Sequence, residues 1–495
     1  MAVPPSATPP GPESVPALLS AARLKVQQNR LSEAALCYEE VVRLQPGCFE
    51  AQAQLGALCR QAGQFQAAVG YLEAALRLQP RFANLNLMLG SVYRQLGRLE
   101  EAAACCRREA EISPDNADVP YNLGLVLQNL DRPEVAALAY QRALDLRPNY
   151  VDALVNLGSV RRGLRQVTAA LPLFEAALRL EPQNAEAHWE LCVTLLALGQ
   201  FERAWKEYEW RWQQPGFGMQ LPRFSQPRWG GEDLNGRRIL LYAEQGYGDA
   251  IQFVRYAPLV AARGGRVIIG CPAALHTLFG SVAGVERVIT QFADLPAIDV
   301  QAPLMSLPGI FKTTLASVPA RIPYFSVPPE LRPGATRPAG RLRIGLVWAG
   351  RPTHRNDRRR SIPFDTMARL LARTDSVWFS LQVGGTGPEL GRLVQGGKIT
   401  DLGAQIGNFM DTAQAIARLD LVIAVDTAVA HLAGALGKPV WLLLPFEAEW
   451  RWLLDRADSP WYPTMRLFRQ NRQGDWAEVV ARVAAALADF KPPGH

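Results

Sequence analysis

The chain has no long run of apolar residues. Its most hydrophobic stretch, 421–446, is interrupted by Asp426, His431 and Lys438, whereas a membrane-spanning helix needs about 20 apolar residues in succession. Residues 1–16 are Pro-rich, uncharged at their start and without an apolar segment, so a disordered tail (1–15) is expected there and not a secretory signal. No block of Lys and Arg exceeds Arg358-Arg359-Arg360, and the formal charge is +7 over 495 residues; a nucleic-acid-binding arm is not expected. The seven cysteines form no CxxC pair and no Cys/His cluster with zinc-ligand spacing. They read as reduced core residues of a cytoplasmic protein that holds no metal. A GxxxxGK[ST] loop is also missing, and after Gly246-x-Gly248 the third position of a dinucleotide fingerprint is Ile251, which argues against both phosphate-loop and dinucleotide-binding proteins.

Hydrophobic residues make up 48% and charged residues 20%, the balance of a globular protein, and the length suggests about three domains. The first of these is periodic. Pro46, Pro80, Pro114, Pro148 and Pro182 recur every 34 residues. In register with them stand Leu55-Gly56, Leu89-Gly90, Leu123-Gly124 and Leu157-Gly158, and an alanine column from Ala34 through Ala68, Ala102, Ala136 and Ala170 to Ala204. A bulky column of Tyr38, Leu72, Tyr140, Phe174 and Tyr208 is broken by Cys106. Small columns allow two antiparallel helices to approach, the bulky column is expected to fill space between neighbouring repeats, and proline closes the second helix.

This register resembles the tetratricopeptide repeat. Five repeats from near Pro16 and a partial sixth (185–212) give an all-α solenoid over 16–214, whose concave groove suits a protein or peptide; self-association alone is the plainer use. Trp205, Tyr208, Trp210 and Trp212, placed on the last helix, are expected to form a seam packing the array onto the domain C-terminal to it.

After a connector (215–236), short apolar runs alternate with helical patterns. Strands are expected at 239–243 and 267–270, with a helix at 250–262 between them, followed by a looser Pro-containing region and a Pro/Gly/Arg linker at 333–340. A second series carries strands at 342–348, 377–381, 421–425 and 439–444, and helices at 364–372, 411–417, 427–436 and 476–490. Such alternation implies two parallel-sheet α/β lobes, 237–335 and 336–495, with ligands at the C-terminal ends of the strands.

Three constellations fall at such ends. Ala243-Glu244-Gln245-Gly246-Tyr247-Gly248-Asp249 follows the first strand; Gly246 and Gly248 would allow a tight turn, and Asp249 is either a cleft-facing carboxylate or a helix N-cap. Asp426-Thr427-Ala428-Val429-Ala430-His431 joins a buried strand to a helix, where the helix start favours phosphate and His431 stands one turn on; the alternative is an N-cap and a packing histidine. The loop 348–361 gathers Arg351, His354, Arg355, Asn356, Arg358, Arg359, Arg360 and Ser361, either guanidinium forks for a pyrophosphate or a solvated basic loop.

Gly248-Asp249, the loop ending Arg360-Ser361-Ile362-Pro363, and Asp426-Thr427-x-x-x-His431-Leu432-Ala433 together resemble the ADP-heptose:lipopolysaccharide heptosyltransferase family across residues 237–490. The resemblance implies a GT-B fold of two Rossmann-like lobes, the first on the acceptor side and the second on the donor side. It also implies a nucleotide-sugar as substrate with no further cofactor. By it, Asp249 falls on the catalytic base, and Asp426, Thr427 and His431 fall on donor nucleotide and phosphate contacts. Arg360 stands where the family has a phosphate-binding lysine, and Asn356, Ser361, Gln382 and Ala428 complete the donor side. Ala428 replaces a usual glycine and the Arg-rich loop differs, so the donor sugar and base stay open. Repeats fused to such a domain are similar in architecture to protein O-GlcNAc transferases and to bacterial repeat-containing flagellin glycosyltransferases, which implies a protein acceptor such as flagellin.

The expected activity is therefore metal-independent, inverting glycosyl transfer, consistent with the lack of an Asp-x-Asp triplet. Transfer to a lipopolysaccharide or other glycan, with the repeats used for recruitment, and a non-catalytic scaffold are the alternatives.

Overall fold

A computed structural model describes residues 14–214, 224–328, 341–353, 356–384 and 387–492. The tail as far as residue 13, residues 215–223 of the connector, the linker 333–340, and His354 and Arg355 lie outside them. The chain divides into two compact units, 1–187 and 188–495.

The first unit is a solenoid of antiparallel helix pairs: α1 (Val15–Gln27) with α2 (Leu31–Leu44), α3 (Phe49–Gln61) with α4 (Phe65–Leu78), α5 (Leu85–Gln95) with α6 (Leu99–Ile112), α7 (Asp118–Asn129) with α8 (Pro133–Leu146), and α9 (Val151–Gly163) with α10 (Val167–Leu180). Each second helix stops two residues before its proline, whose ring cannot continue the helical hydrogen bonding. The turn inside each pair passes through one left-handed residue, again every 34 positions: Asn29, Gly63, Gly97, Asp131 and Arg165, with Gly199 continuing the series. Glycine, Asn and Asp accept that conformation readily.

The glycine and bulky columns meet inside a repeat, not between repeats. A Cβ on Gly56 would come 2.5 Å from the Leu72 side chain, and on Gly124 or Gly158 the same distance from the Tyr140 or Phe174 ring. The large side chain lies over the glycine of its own pair because helices packed this closely leave its bulk only that gap. Where the bulky residue is replaced by Cys106, the space is less crowded by side chains: a Cβ on Gly90 would stand 3.2 Å from Cys105 Cβ and 3.9 Å from Cys106 Sγ. The alanines from Ala34 to Ala204 are wholly buried, leaving no room for a larger residue.

In the second unit, α11 (Ala185–Ala197, whose first residues belong to the first unit) and α12 (Phe201–Tyr208) precede an α/β region. This region runs β1 (Arg238–Tyr242), α13 (Tyr247–Phe253), α14 (Ala257–Ala262), β2 (Arg266–Gly270), α15 (His276–Phe279), β3 (Val285–Ile289), β4 (Val300–Pro303) and α16 (Leu307–Ile310). It continues with β5 (Leu342–Val347), α17 (Asp357–Arg360), α18 (Phe364–Ala368), β6 (Ser376–Ser380), α19 (Pro388–Gln395), β7 (Thr400–Asp401) and α20 (Phe409–Ala417). β8 (Leu421–Val425), α21 (Ala428–Ala435), β9 (Val440–Leu444), β10 (Met465–Arg469) and α22 (Trp476–Ala488) complete it.

The strands form two parallel sheets, ordered β3-β2-β1-β4 and β10-β9-β8-β5-β6-β7. In each, the chain moves outward from its first strand on one side and then returns to that strand's other side, with β4 beside β1 and β8 beside β5. These reversals open a crevice at the C-terminal strand ends. β3, β4, β7 and β10 were not expected as strands, and all four are sheet edges. In β3 and β10 exposed charges such as Glu286, Arg287 and Arg466 interrupt the apolar run that marks a central strand. β4 is buried throughout but only four residues long, with Gln301 and Pro303 breaking its apolar run. The helix expected over 250–262 is split by a 3-10 turn at Val254–Tyr256, with Pro258 in the first turn of α14, the helix position that lacks an amide partner anyway.

The aromatic seam keeps Trp205, Tyr208 and Trp212, which packs against the Leu240, Tyr242 and Ile268 cluster, and loses only Trp210. α12 ends at Tyr208, and Glu209–Gln213 winds as a 3-10 helix. Trp205 donates to the Thr313 carbonyl at 2.8 Å, Tyr208 reaches Met305, and Phe201 packs on Trp450 and Trp461. The change of helix type turns Trp210 back to stack on His188 at 3.8 Å.

Two glycines in repeat helices should respond oppositely to alanine. Alanine favours a helix over glycine by about 1 kcal/mol. Exposed Gly70 has nothing within 4 Å of a new Cβ, so Gly70→Ala should raise the urea midpoint. At Gly124 the 2.5 Å clash with the buried Tyr140 ring should outweigh that gain and cost about 1–3 kcal/mol. Equal shifts in the two variants would remove the packing role assigned to the glycine column.

Candidate functional site

The residues after β1 and those after β8 meet through the first turns of α13 and α21. Asp249, the third residue of α13, caps its own helix: Oδ2 accepts from the Gly246 N–H at 3.0 Å. Neither Gly246 nor Gly248 has a positive φ, so backbone freedom is not what the turn requires. Space is. A Cβ on Gly246 would stand 3.1 Å from Asp249 Oδ2; on Gly248 it would stand 2.9 Å from the His431 ring and 3.7 Å from Ala428 Cα.

Asp426 directly follows β8, with both carboxylate oxygens engaged. Oδ2 accepts from Trp452 Nε1 at 2.9 Å, and Oδ1 is 3.7 Å from His431 Nε2. Burial works to raise this carboxyl, but His431, Trp452 and Arg451 outweigh it and hold it below its ordinary value. His431 Nδ1 lies 2.9 Å from the Tyr462 hydroxyl, and its ring packs against Trp452 and Tyr462. The ring is only 5% exposed, so in this conformation it organises Asp426 from within the wall. Thr427 occupies the N-cap position of α21 without making a side-chain cap, and its Oγ1 is buried without a hydrogen-bond partner. A buried hydroxyl left unpaired costs free energy. Ala428 is the first residue of α21 and lies against Gly248.

From the loop after β5, Arg360 reaches this point and donates to the Asp426 carbonyl at 3.2 Å. Its Nε has no hydrogen-bond partner and stands 3.6 Å from Asp357 Oδ1. The other donor-side residues hold the loop. Ser361 Oγ accepts from the Gly350 N–H at 3.0 Å and donates to Asp357 at 2.9 Å, Gln382 Oε1 accepts from the Ala349 N–H at 3.1 Å, and the Asn356 carbonyl accepts from Arg359 and Arg360 amides. The structure thus gathers Asp249, Arg360, Asp426, Thr427, Ala428 and His431, and gives Asn356, Ser361 and Gln382 supporting contacts.

Two buried cations belong to the same region and were not singled out from sequence. Arg451, in the segment after β9, donates through Nη2 to Asp249 Oδ1, through Nε to Gln252 Oε1 at 2.6 Å, and through Nη1 to Glu449, while its backbone N–H bonds the second Glu449 oxygen at 2.9 Å. Desolvation pushes the Glu449 carboxyl up to about 7 despite Arg451, although 35% of its side chain is exposed. Arg211, just past α12, is wholly buried and donates to Glu244 at 3.1 Å, Ser306 at 2.8 Å and Glu209 at 2.8 Å. Burial pushes Glu244 up to about 7 as well, Arg211 opposing it. Glu209 goes the other way: burial would raise it, but Arg211, Ser306 and Arg228 bring it down to about 2. The available signal was position, since Glu244 stands two residues past β1, and Glu447, Glu449 and Arg451 follow the fully buried β9. A depression of about 220 Å³ beside α15 and β3 is lined by none of these residues.

Arg211→Met would leave Glu244 and Glu209 without their buried cation and should cost about 3–5 kcal/mol. Because the folded protein holds Glu244 above its ordinary value, that group's contribution is full below about 4.5 and is lost as pH rises through about 7. Without Arg211 the carboxyl rises further and the decline steepens. Urea unfolding should therefore show a larger loss at pH 8 than at pH 5.5; equal losses would show that Arg211 does not balance Glu244.

Tetratricopeptide-repeat family models match residues 19–71, 60–117 and 121–170, and a further one matches 162–208. The chain is 29% identical to Protein FlbA of Caulobacter vibrioides over 336 residues, 60% of this chain and 54% of that protein, so it spans about half the length of this relative. Among solved structures, the crystal structure of MamA protein aligns with 22% identity over 35% of this chain and 95% of its own, with a TM-score of 0.33. Pseudomonas aeruginosa pilF aligns with 18% identity over 41% and 93%, with a TM-score of 0.37. The helical pairs that precede the α/β region are tetratricopeptide repeats.

Proposed function

We propose that the α/β region is a GT-B-type glycosyltransferase that moves a sugar from a nucleoside-diphosphate sugar to a hydroxyl of a protein held by the repeats. One observation carries this reading: the helix starts after β1 and β8, each beside the strand reversal of its own sheet, meet with Asp249 on one side and Asp426, buried Thr427 Oγ1 and Arg360 on the other. A helix start and a guanidinium suit a diphosphate, and the hydroxyl of Thr427 has no protein group to satisfy it. In transfer, the acceptor oxygen bonds to C1 of the sugar while the bond from C1 to the diphosphate oxygen breaks and its electron pair leaves with the nucleotide. The acceptor proton passes to Asp249, and Arg360 and the α21 start stabilise the departing charge. Solenoid concave surfaces commonly hold proteins and peptides, which supports a protein acceptor.

A non-catalytic scaffold is favoured by a different observation: both oxygens of Asp249 are already engaged, by Arg451 and by the Gly246 N–H. Each carboxylate oxygen still has a second acceptor site. The experiment that separates the readings begins with a melting-point screen against UDP-, GDP-, ADP- and CMP-sugars, since a ligand of the native state raises its stability. With the sugar that binds, Asp249→Asn should keep donor affinity and lose transfer by about a hundred- to ten-thousand-fold. Wild-type turnover in that variant would exclude Asp249 as the base, and no binding across the panel would favour the scaffold.

Deleting residues 1–184 tests the acceptor. If the repeats hold it, they raise the concentration of its hydroxyls near Asp249, so the folded truncation should bind donor and hydrolyse it slowly but no longer modify protein. Undiminished protein modification would leave the repeats a recruiting role alone.

A further inference from the structure

Asp249 is not alone with Arg451. The guanidinium fork lies between two carboxylates, with Nη2 on Asp249 Oδ1 and Nη1 on Glu449 Oε1, and its third edge is fixed by Gln252 at 2.6 Å. Glu449 is bound twice, because the Arg451 backbone N–H takes its other oxygen at 2.9 Å. The Arg451 side chain is only 8% exposed and is packed against the Trp450 and Phe253 rings, so it has no freedom to leave either partner. From this arrangement we propose that Glu449 is a positioning residue that acts on Asp249 through Arg451, the three forming a carboxylate–guanidinium–carboxylate chain that sets how readily Asp249 accepts a proton. The proposal rests on the transferase reading for its catalytic consequence, but the chain itself is testable without substrate.

One cation shared by two anions attracts each less than it would attract one alone. With Glu449 ionised, Arg451 is partly neutralised and Asp249 is the better base. With Glu449 protonated, the whole of the Arg451 charge bears on Asp249 and opposes proton uptake. The charged and titratable groups around Glu449 are Arg451 and the Glu447–Arg359 pair on its own loop side, Asp249 across the junction with Glu244 behind it, Asp426 with His431 at the end of β8, and the Tyr208 hydroxyl near Arg451. Burial leads, and Asp426 adds to, the rise that brings Glu449 to about 7, while Arg451 opposes it, so the chain changes state near neutral pH. Its folded value lies above its ordinary one; the stability it contributes is present below about 4.5 and declines as pH rises through about 7.

The test is a double-mutant cycle in the full chain with Asp249→Asn and Glu449→Gln, read as melting points at pH 5.5 and pH 8.5. At pH 8.5, removing the Glu449 charge leaves Arg451 wholly to Asp249. Asp249→Asn should then lower the melting point by roughly 2–4 °C more in the Glu449→Gln background than in the wild type. At pH 5.5 Glu449 is already neutral and the two backgrounds should lose the same amount. Arg451→Lys, which keeps the charge but not the fork, should shrink the difference at pH 8.5. A cycle that shows no coupling at pH 8.5 overturns the proposal and leaves Glu449 a packing residue. With UDP-GlcNAc, or whichever other panel sugar supports turnover, Glu449→Gln should keep donor affinity, lower the rate and abolish the rising limb near pH 7. If the cycle behaves as expected but Asp249→Asn transfers sugar at the wild-type rate, Asp249 is not the base and the chain stands; if no panel sugar binds, the transferase reading fails and the chain still stands.

Discussion

A Cβ at position 248 would sit 2.9 Å from the His431 ring, so α13 and α21 can touch at their first turns only because that residue is glycine. The whole candidate site depends on this contact. It puts Asp249 near the segment that carries Glu449 and Arg451, and it presses Ala428 and His431 against the start of the helix after β1. A side chain at 248 would wedge the two helix starts apart and separate the groups whose chemistry depends on proximity.

Buried arginines then fix what the glycine allows. Arg451 joins α13 to the segment after β9. Arg255 is also wholly enclosed and ties the α13–α14 region to the Trp461 carbonyl at 2.6 Å and to the Tyr324 hydroxyl at 3.0 Å. Arg211 ties the end of the last repeat helix to the end of β1. A guanidinium suits this work because its planar fork reaches several acceptors at once while its faces pack on aromatic rings, as Arg255 does on Tyr324 and Tyr462 and Arg211 on Tyr208 and Trp212. Buried ion pairs add little net stability, since desolvation consumes most of their attraction, but losing one partner is costly. The value of these three cations lies in geometry: each makes one arrangement of distant segments much better than its neighbours.

Much of the fold is legible in the residues. The repeat helices follow from columns at a fixed spacing, and the central strands β1, β2, β5, β6, β8 and β9 from continuous apolar runs. β3 and β10 escape because exposed positions admit charges that erase the run, and β4 because it is short and holds Gln301 and Pro303. The candidate site is legible only in its local part. Asp249, Asp426 and Thr427 can be found because each stands at the junction of a strand and a helix. Reading Gly246 and Gly248 as turn residues gives the wrong cause, because the backbone at both is ordinary; the constraint is the nearby Asp249 carboxylate at Gly246 and a histidine far along the chain at Gly248.

By itself, the sequence determined the repeat register, the order of the central strands, and which residues would stand at the C-terminal ends of buried strands. All of these depend on neighbours a few residues apart, through periodicity, helix termination and apolar runs. Only the tertiary structure decided which charges meet. Arg451 finds Asp249 across 202 positions and Arg255 finds the Trp461 carbonyl across 206; no local pattern encodes such pairs, because an arginine in a loop looks the same whether it meets water or a buried carboxylate. The partner of each charge, and therefore its protonation, is fixed when two sheets bring their strand ends together and exclude the water that would otherwise make every pairing nearly equivalent.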